Sequence, residues 1–334
     1  MLLYAGSGGG TAKQAATPEE ADEADQQLTN DVEDVLYYLL DAFMYQGVPV
    51  PFDEIEFDKV CVQAIVQHYQ SMRASASAPP SHHTVLILDK STHMFPWESM
   101  PVLRGRSVAR LPTWTIWRDN IMARREGTAG DTVDAQRTQY LLNPAGDLSH
   151  TEAQFAPLMK QRKWKGITGR IPMEQELWTS LTTSDVFLYF GHGGAEQYIK
   201  GSTIRKLDGC AVSLLMGCSS GYLAPEGEFE PAGTPWHYLV AGSRAVVVNL
   251  WDVTDKDIDR FGVALLKRWG LLAANGSSSG STRSKSQSAR HASSSVHEDL
   301  GTAVAMARDE CTLRYLVGAA PVVYGMPHMT VVPS

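Results

Sequence analysis

The segment of residues 184–221 constrains the fold of this 334-residue chain more than any other segment. It contains two short apolar runs, residues 185–190 and 210–216, and a glycine closely follows each run. Short apolar runs bounded by turn residues are typical of buried strands. Residues 195–207 are long enough to form a crossover helix between the two runs. We therefore predict a βαβ unit with parallel strands.

Two reactive side chains follow these predicted strands. His192 lies in a Gly-His-Gly-Gly sequence after the first strand, and Cys218 lies in a Gly-Cys-Ser-Ser-Gly sequence after the second. Because ligands bind at the carboxyl ends of strands in an open parallel sheet, both side chains should border one crevice. An imidazole raises the thiolate fraction of a nearby thiol and can return a proton to a leaving amine. We predict Cys218 as nucleophile, His192 as general acid–base, and the amides of Gly193 and Cys218 as an oxyanion hole.

The same segment allows a serine hydrolase as an alternative. Residues 217–221 also match the G-x-S-x-G nucleophile pattern, in which Ser219 would attack the substrate. In that fold several strands and helices separate the oxyanion loop from the nucleophile, whereas His192 and Ser219 leave room for one crossover. His297 and His328 lie late enough in the chain to complete a serine triad. A third alternative is a scaffold without catalysis that binds a partner in the same crevice.

Composition excludes several other functions. The net charge of −8 argues against a nucleic-acid-binding surface, and no apolar run reaches the length of a membrane span. Four cysteines, at 61, 210, 218 and 311, show neither CxxC pairs nor metal-ligand spacing, which indicates a reducing compartment and no metal site. Residues 165–172 contain glycines without a phosphate-binding pattern, so we expect no nucleotide and no cofactor. The glycine-rich opening and the abrupt end suggest a piece of a longer protein.

Three regions are predicted along the chain. Residues 1–30 form a flexible acidic linker, residues 31–80 form a small unit of two amphipathic helices, and residues 81–334 form an α/β domain. A serine-rich insertion at residues 275–296 is predicted to be disordered. In the α/β domain we predict strands at 84–89, 138–142, 245–250 and 321–324, and helices at 112–125, 151–164, 254–269 and 298–316.

Three aspartates follow the predicted strand at 245–250. Asp252, Asp255 and Asp259 are spaced by three and four residues, so they share one helix face if the helix extends back to Asp252. Thr254 and Asp257 fit a capping box at the start of this helix. The aspartates would then lie beside Cys218 and form a pocket for a cationic side chain, arginine in particular. The alternative is that acidic residues only stabilise a helix amino terminus.

Five separated segments resemble, in order, the carboxyl-terminal protease region of separase, a family of caspase-like cysteine endopeptidases. They include Phe-Gly-His-Gly-Gly-Ala-Glu-Gln-Tyr at 190–198, Leu-Met-Gly-Cys-Ser-Ser-Gly at 215–221 and Asn-Leu-Trp-Asp-Val-Thr-Asp-Lys-Asp-Ile-Asp at 249–259. The other two lie at 89–105 and 322–327, and the resemblance extends from about residue 82 to residue 328.

The resemblance implies a caspase-like α/β/α sandwich with a mostly parallel sheet, in which residues 31–80 are a substrate-binding subdomain. It implies His192 and Cys218 as the catalytic dyad, and residues 252–259 as the lining of a pocket for the arginine before the scissile bond. The family cleaves the kleisin subunit of cohesin after Glu-x-x-Arg, helped by substrate phosphorylation, and so releases sister chromatids at anaphase. Securin inhibits it as a pseudosubstrate. A long helical amino-terminal part, which this chain lacks, and a nuclear, cytoplasmic and spindle location are also implied.

Overall fold

The computed structural model describes residues 83–126, 130–272 and 298–332, together with residues 26, 29, 30, 63 and 67. Contacts divide the chain into two units, Met1–Pro80 and Ser81–Ser334, and the helices and strands with described bounds all lie in the second. Three predicted regions lie outside the described residues, apart from the five isolated positions: the linker 1–30, the helical unit 31–80 and the insertion 275–296. His297 also lies outside the described residues.

Strands of four or five residues build the central sheet. They are β1 (Thr84–Ile87), β2 (Val108–Leu111), β4 (Thr138–Leu142), β5 (Lys165–Thr168), β6 (Val186–Phe190), β7 (Val212–Leu215), β10 (Ala245–Asn249) and β11 (Pro321–Gly325). Their spatial order is β1-β2-β11-β10-β7-β6-β4-β5. Two short pairs stand apart from this sheet: β3 (Thr132–Asp134) with β12 (Thr330–Val332), and β8 (Ala224–Glu226) with β9 (Phe229–Ala232).

The direction of the strands decides which chain segments meet at one edge of the sheet. Neighbouring strands are parallel except β10 and β11, which are antiparallel with Asn249 opposite Pro321. The carboxyl ends of β4, β6, β7 and β10 therefore lie at the same edge as the amino ends of β11, β2 and β1. Every residue of β6, β7 and β10 is buried, as expected for strands that are covered on both faces.

Helices cover both faces of the sheet. They are α1 (Trp114–Arg125), α2 (Ser149–Gln161), α3 (Glu174–Thr183), α4 (Gly201–Ile204), α5 (Thr234–Val240), α6 (Asp255–Arg268) and α7 (Leu300–Ala307). Phe155 of α2 and Phe261 of α6 belong to the hydrophobic cluster on one face. Leu177 of α3 and Tyr238 of α5 belong to the cluster on the other face. The result is a three-layer α/β/α sandwich with a mostly parallel sheet, as predicted. None of the helices within the described ranges is long and apolar enough to span a membrane.

Two predicted helices are wrong in extent. Between β6 and β7 the predicted helix at 195–207 is reduced to the single turn Gly201–Ile204. Ala195 has a left-handed φ of 72°, a conformation that a right-handed helix cannot contain. The predicted helix at 298–316 ends at Ala307 and continues as the 3₁₀ turn Arg308–Glu310. The strands predicted at 138–142, 245–250 and 321–324 are confirmed to within one residue.

Three strands of the sheet also differ from the prediction: β2, which is fully buried between β1 and β11 and was not predicted, and the two edge strands. The strand predicted at 84–89 is shorter in the structure, where β1 (Thr84–Ile87) lies at the edge of the sheet and is only partly buried. The opposite edge strand, β5, was not predicted, because its sequence Lys-Gly-Ile-Thr has one apolar side chain and is largely exposed. Edge strands carry weak sequence signals since only part of their surface has to be apolar.

Candidate active site

A cleft of about 330 Å³ opens at the edge of the sheet where β6 and β7 end. Its walls come from the turns after these two strands, from the first turns of α6, and from the start of α2. The lining residues are Leu148, Thr151, Phe190, Gly191, His192, Met216, Gly217, Cys218, Val253, Asp255, Ile258 and Asp259. The structure thus brings the predicted His192, Cys218, Asp255 and Asp259 to one cleft.

The turns that carry Cys218 and His192 are in direct backbone contact. A Cβ atom at Gly217 would lie 2.5 Å from the carbonyl oxygen of Gly191, and still closer to the carbonyl oxygen of Gly193. Only glycine permits this approach. The thiol of Cys218 is half-buried and donates to the carbonyl of Val253 at 3.2 Å, and both residues line the cleft.

The residue after Cys218 is held away from the cleft. Ser219 adopts a left-handed φ of 50°, its amide donates to the carbonyl of Trp251 at 3.1 Å, and its hydroxyl donates to Asp252 Oδ1 at 2.6 Å. Ser219 does not line the cleft. This geometry gives no support to Ser219 as a nucleophile.

A buried network ties the cysteine turn to the end of β10. The hydroxyl of Ser220 donates to the carbonyl of Leu215 at 2.7 Å and accepts from the amide of Asn249 at 3.0 Å. The side-chain amide of Asn249 donates to the carbonyl of Gly217 at 3.1 Å. Asn249 was not among the site residues predicted from the sequence, although a polar residue at the end of a buried strand is a usable signal.

Two side chains position the backbone of His192. The hydroxyl of Tyr189 donates to the His192 carbonyl at 2.5 Å, and Gln197 Nε2 donates to the same oxygen at 2.9 Å. Burial raises the pKa of Tyr189, so this hydroxyl remains a donor at neutral pH. The His192 ring is about half exposed, and its Nε2 lies 2.8 Å from Oδ2 of Asp147, a residue that the sequence analysis also missed.

Two backbone amides lie beside the reactive side chains, those of Gly193 and Cys218, and of these two residues Cys218 lines the cleft whereas Gly193 does not. Gly193 has a left-handed φ of 63°. Within the described ranges the amides of Gly193 and Cys218 donate to no protein acceptor. Free amides at the junction of these two turns are suited to binding an oxyanion.

The aspartates of the predicted pocket have different environments. Asp259 is 1% exposed and accepts from the hydroxyl of Thr151 at 2.9 Å, with Nδ1 of His150 at 3.5 Å. Burial raises the pKa of Asp259, and the hydrogen bonds from Thr151 and His150 oppose this shift. Asp255 is exposed at the first residue of α6 and borders the same cleft. One buried and one exposed carboxylate therefore face the space beside Cys218.

Asp252 lies apart from these two aspartates. The helix α6 begins at Asp255 after the extended residue Thr254, so the helical phase does not reach back to Asp252. The carboxylate of Asp252 accepts a hydrogen bond from the hydroxyl of Ser219, and Asp252 does not line the cleft. The predicted capping box is also wrong, because Thr254 makes no side-chain cap hydrogen bond.

Asp257 has a different partner from the one predicted. Its carboxylate accepts from the backbone amides of Thr312 and Leu313, at 3.0 and 2.9 Å. These two bonds hold the segment after α7 against the first turn of α6.

Two further histidines, His93 and His328, lie outside the cleft. His93 is 2% exposed, its carbonyl accepts from Arg110, and its ring packs edge-on against Trp236 at 5.8 Å. His328 Nε2 lies 3.0 Å from Asp131 Oδ1. In the part of the chain that the structure describes, no group of three or more His, Cys, Asp or Glu side chains is arranged to hold a metal ion.

Fold and cleft together define the class: a caspase-like α/β/α sandwich with a cysteine and a histidine at adjacent strand ends. The family described as "Separin, protease domain" matches residues 15–258. The chain is 44% identical to separin of Emericella nidulans over 299 residues and 42% identical to separin of Schizosaccharomyces pombe over 298 residues, which covers 88% and 89% of this chain. The chain therefore belongs to the separin protease-domain family.

A solved structure agrees with this assignment. The Saccharomyces cerevisiae separase–securin complex matches with a TM-score of 0.67 and 34% identity, over 90% of this chain and 19% of that chain. The predicted resemblance and fold class are confirmed. The chain covers only 14% and 15% of the length of the two separins named above.

Proposed function

We propose that this chain is a cysteine endopeptidase in which Cys218 is the nucleophile and His192 the general acid–base. The observation that carries the proposal is the shared cleft: the thiol of Cys218, the imidazole of His192 and the carboxylates of Asp255 and Asp259 line one space at one sheet edge. As a member of the separin family, the chain would cleave the kleisin subunit of cohesin after arginine in Glu-x-x-Arg sites and release sister chromatids at anaphase.

The reaction follows from the roles of these groups. The Cys218 thiol transfers its proton to His192, and the sulfur attacks the scissile carbonyl carbon, so that a carbon–sulfur bond forms and the carbonyl electrons move to oxygen. The amides of Gly193 and Cys218 stabilise this oxyanion. When the carbon–nitrogen bond breaks, His192 protonates the leaving amine. Water, deprotonated by His192, then attacks the thioester and regenerates the thiol.

Asp259 and Asp255 support arginine as the residue before the scissile bond. A guanidinium in the cleft would meet the buried carboxylate of Asp259 and the exposed carboxylate of Asp255. A planar fork can engage two carboxylates, whereas an ammonium group cannot match this geometry. Asp252 is the weaker candidate, since it is bonded to Ser219.

A second pocket of about 220 Å³ supports glutamate as the residue three positions earlier. Arg104, Arg308 and Arg314 line it beside Glu98 and Asp309. Arg104 pairs with Asp309 and Arg308 donates to the carbonyls of Pro321 and Glu98, so within the described ranges Arg314 is the arginine of this pocket without such a partner. It lies at the amino ends of β2 and β11, at the same sheet edge as the cleft. Three strand spacings separate β7 from β2, roughly 14 Å. Three residues of extended peptide span about 10 Å, and a glutamate side chain supplies the remaining reach.

The proposed partners follow from family membership. The solved relative is a complex with securin, so a securin-type pseudosubstrate would occupy the cleft of this chain. The relatives are several times longer, so a helical amino-terminal part would accompany this chain, with residues 31–80 as a substrate-binding subdomain. The proposed location is the nucleus and cytoplasm, including the spindle.

The first test identifies the nucleophile. The chain is incubated with a peptide acyloxymethyl ketone that ends in arginine, and the labelled residue is mapped by mass spectrometry. Cys218→Ser should abolish labelling and cleavage with the fold intact, whereas Ser219→Ala should retain most activity. The reverse result would favour a serine hydrolase, and a chain that cuts no peptide would favour a scaffold.

The second test addresses the base. His192→Ala should cost nearly as much activity as Cys218→Ser, and the double variant should be little worse than either, since residues that act as a unit are not additive. His93→Ala is the control, because His93 is buried elsewhere and should affect stability only. Independent, additive losses would argue against a dyad.

The third test addresses specificity. Asp259→Asn and Asp255→Asn should lose cleavage of arginine peptides by about 10²- to 10³-fold while glutamine peptides change little, because a buried guanidinium without its carboxylate costs several kcal/mol. Asp252→Asn is the matched control. Equal loss for both peptides would place the arginine pocket elsewhere.

Arg314→Ala should likewise remove a preference for glutamate over glutamine three positions before arginine.

A further inference from the structure

The ring nitrogen Nε2 of His192 contacts the carboxylate of Asp147, a residue in the turn after a neighbouring strand. Asp147 follows β4, and β4 lies beside β6 in the sheet with Leu142 opposite Phe190. The two turns therefore meet at the same edge, where Asp147 Oδ2 lies 2.8 Å from His192 Nε2.

The turn that carries Asp147 has a defined structure. Asn143 and Gly146 are both left-handed, with φ of 48° and 80°. The amide of Asn143 donates to the carbonyl of Phe190 at 2.8 Å, and its side-chain oxygen accepts from the amide of Leu148 at 2.9 Å. These bonds tie the turn to the end of β6 on one side of Asp147 and to the start of α2 on the other. The carboxylate is therefore placed by the fold.

The contact determines which ring nitrogen carries the proton. The hydrogen bond from His192 lowers the pKa of Asp147, so this carboxylate is ionised at neutral pH and can only accept. His192 Nε2 must therefore be the donor. In the neutral ring this leaves the lone pair on Nδ1, and His192 lines the cleft whereas Asp147 does not.

We infer that Asp147 is a positioning residue for His192: it fixes the Nε2–H tautomer and makes Nδ1 the nitrogen that exchanges protons with Cys218 and the leaving amine. This inference rests on the proposed function for the identity of the base. The tautomer itself depends only on the contact between Asp147 and His192.

A comparable pair elsewhere in the protein serves as a control. His328 and Asp131 make the same kind of contact, Nε2 to Oδ1 at 3.0 Å, outside the cleft, although this pair is more buried and Asp131 also pairs with Arg244 at 3.3 Å. An exposed ion pair by itself contributes little to stability. If the exposed pair of Asp147 and His192 were only such a contact, its removal should leave kcat as little changed as removal of the pair of Asp131 and His328.

The kinetic test uses the full chain with an arginine-ending fluorogenic peptide. Asp147→Ala should lower kcat about 10- to 100-fold with KM nearly unchanged, because a misdirected base is costly even when binding is intact. Asp147→Asn should recover most of this loss, since an amide oxygen still accepts from Nε2–H. Asp131→Ala should leave kcat unchanged. Equal, small effects of Asp147→Ala and Asp131→Ala on kcat would overturn the inference.

The spectroscopic test needs no substrate. In protein labelled with ¹⁵N-histidine, the shifts of Nδ1 and Nε2 distinguish the two neutral tautomers, and His192→Gln assigns the signal. His192 should show the Nε2–H form, and Asp147→Ala should lose this preference while the signal of His328 stays unchanged. An unchanged His192 tautomer in Asp147→Ala would refute the inference. If the protein cuts no peptide, the proposed function fails, but this measurement still decides the role of Asp147.

Discussion

Gly217→Ala should disable the site while leaving most of the fold intact. A Cβ at position 217 would lie 2.5 Å from the carbonyl oxygen of Gly191 and nearer to that of Gly193, where ordinary contacts begin at 3.4 Å. Both obstacles are backbone atoms, so the turns that carry Cys218 and His192 must move apart by roughly 1 Å. A displacement of this size between reacting groups can cost about 10²-fold in rate. Overpacking should also destabilise the protein by about 1–3 kcal/mol.

The assay separates the two effects. We expect kcat for an arginine-ending peptide to fall about 10²-fold, and the melting temperature to fall by roughly 2–12 °C, at about 2–4 °C per kcal/mol for a domain of this size. Gly130→Ala is the matched control, because a Cβ there meets nothing within 4 Å. If Gly217→Ala keeps its activity within twofold, or loses it only in proportion to the unfolded fraction, the contact between the turns does not position the dyad.

Three further predictions concern stability. Burial raises the pKa of Asp259, so ionisation of this carboxylate destabilises the folded state once the pH rises above the ordinary pKa of an aspartate. Asp259→Asn should therefore raise the melting temperature at pH 7, while cleavage after arginine is lost. Burial raises the pKa of Asp257, but hydrogen bonds from the backbone amides of Leu313 and Thr312 lower it by more, so the net shift is downward. Asp257→Asn should therefore destabilise the protein at neutral pH. The denaturation curves of variant and wild type should converge as the pH falls below the lowered pKa. Glu98 and Arg110 form a fully buried ion pair, Oε2 to Nη2 at 2.6 Å, so Glu98→Gln should cost about 3–5 kcal/mol in denaturant unfolding, and a cost below 1 kcal/mol would contradict the pairing.

The sequence by itself determined the strands at the centre of the sheet and the residues at their ends. Fully buried strands must be almost wholly apolar, so β6, β7 and β10 are visible as short runs, and glycine marks where β6 and β7 turn. Adjacent parallel strands end at one edge. For this reason the meeting of His192 and Cys218 could be predicted from two local patterns and one connection length.

Tertiary structure alone decided which polar side chains pair with which. Asp147 and His192 are 45 residues apart in the chain, and Thr151 lies 108 residues from Asp259. Neither pairing leaves a periodic trace in sequence, because each depends on which turns the packed sheet brings together.

The aspartates after β10 show the same division. Their spacing predicted carboxylates near Cys218, and Asp255 and Asp259 line the same cleft as Cys218. Because α6 begins only at Asp255, Asp252 lies outside the helix and accepts a hydrogen bond from Ser219 instead. Of the two carboxylates that line the cleft, that of Asp259 is the buried one. Hydrophobic periodicity is a local property that a chain displays in its sequence, whereas the partner of a polar group is chosen by distance and desolvation in the folded state.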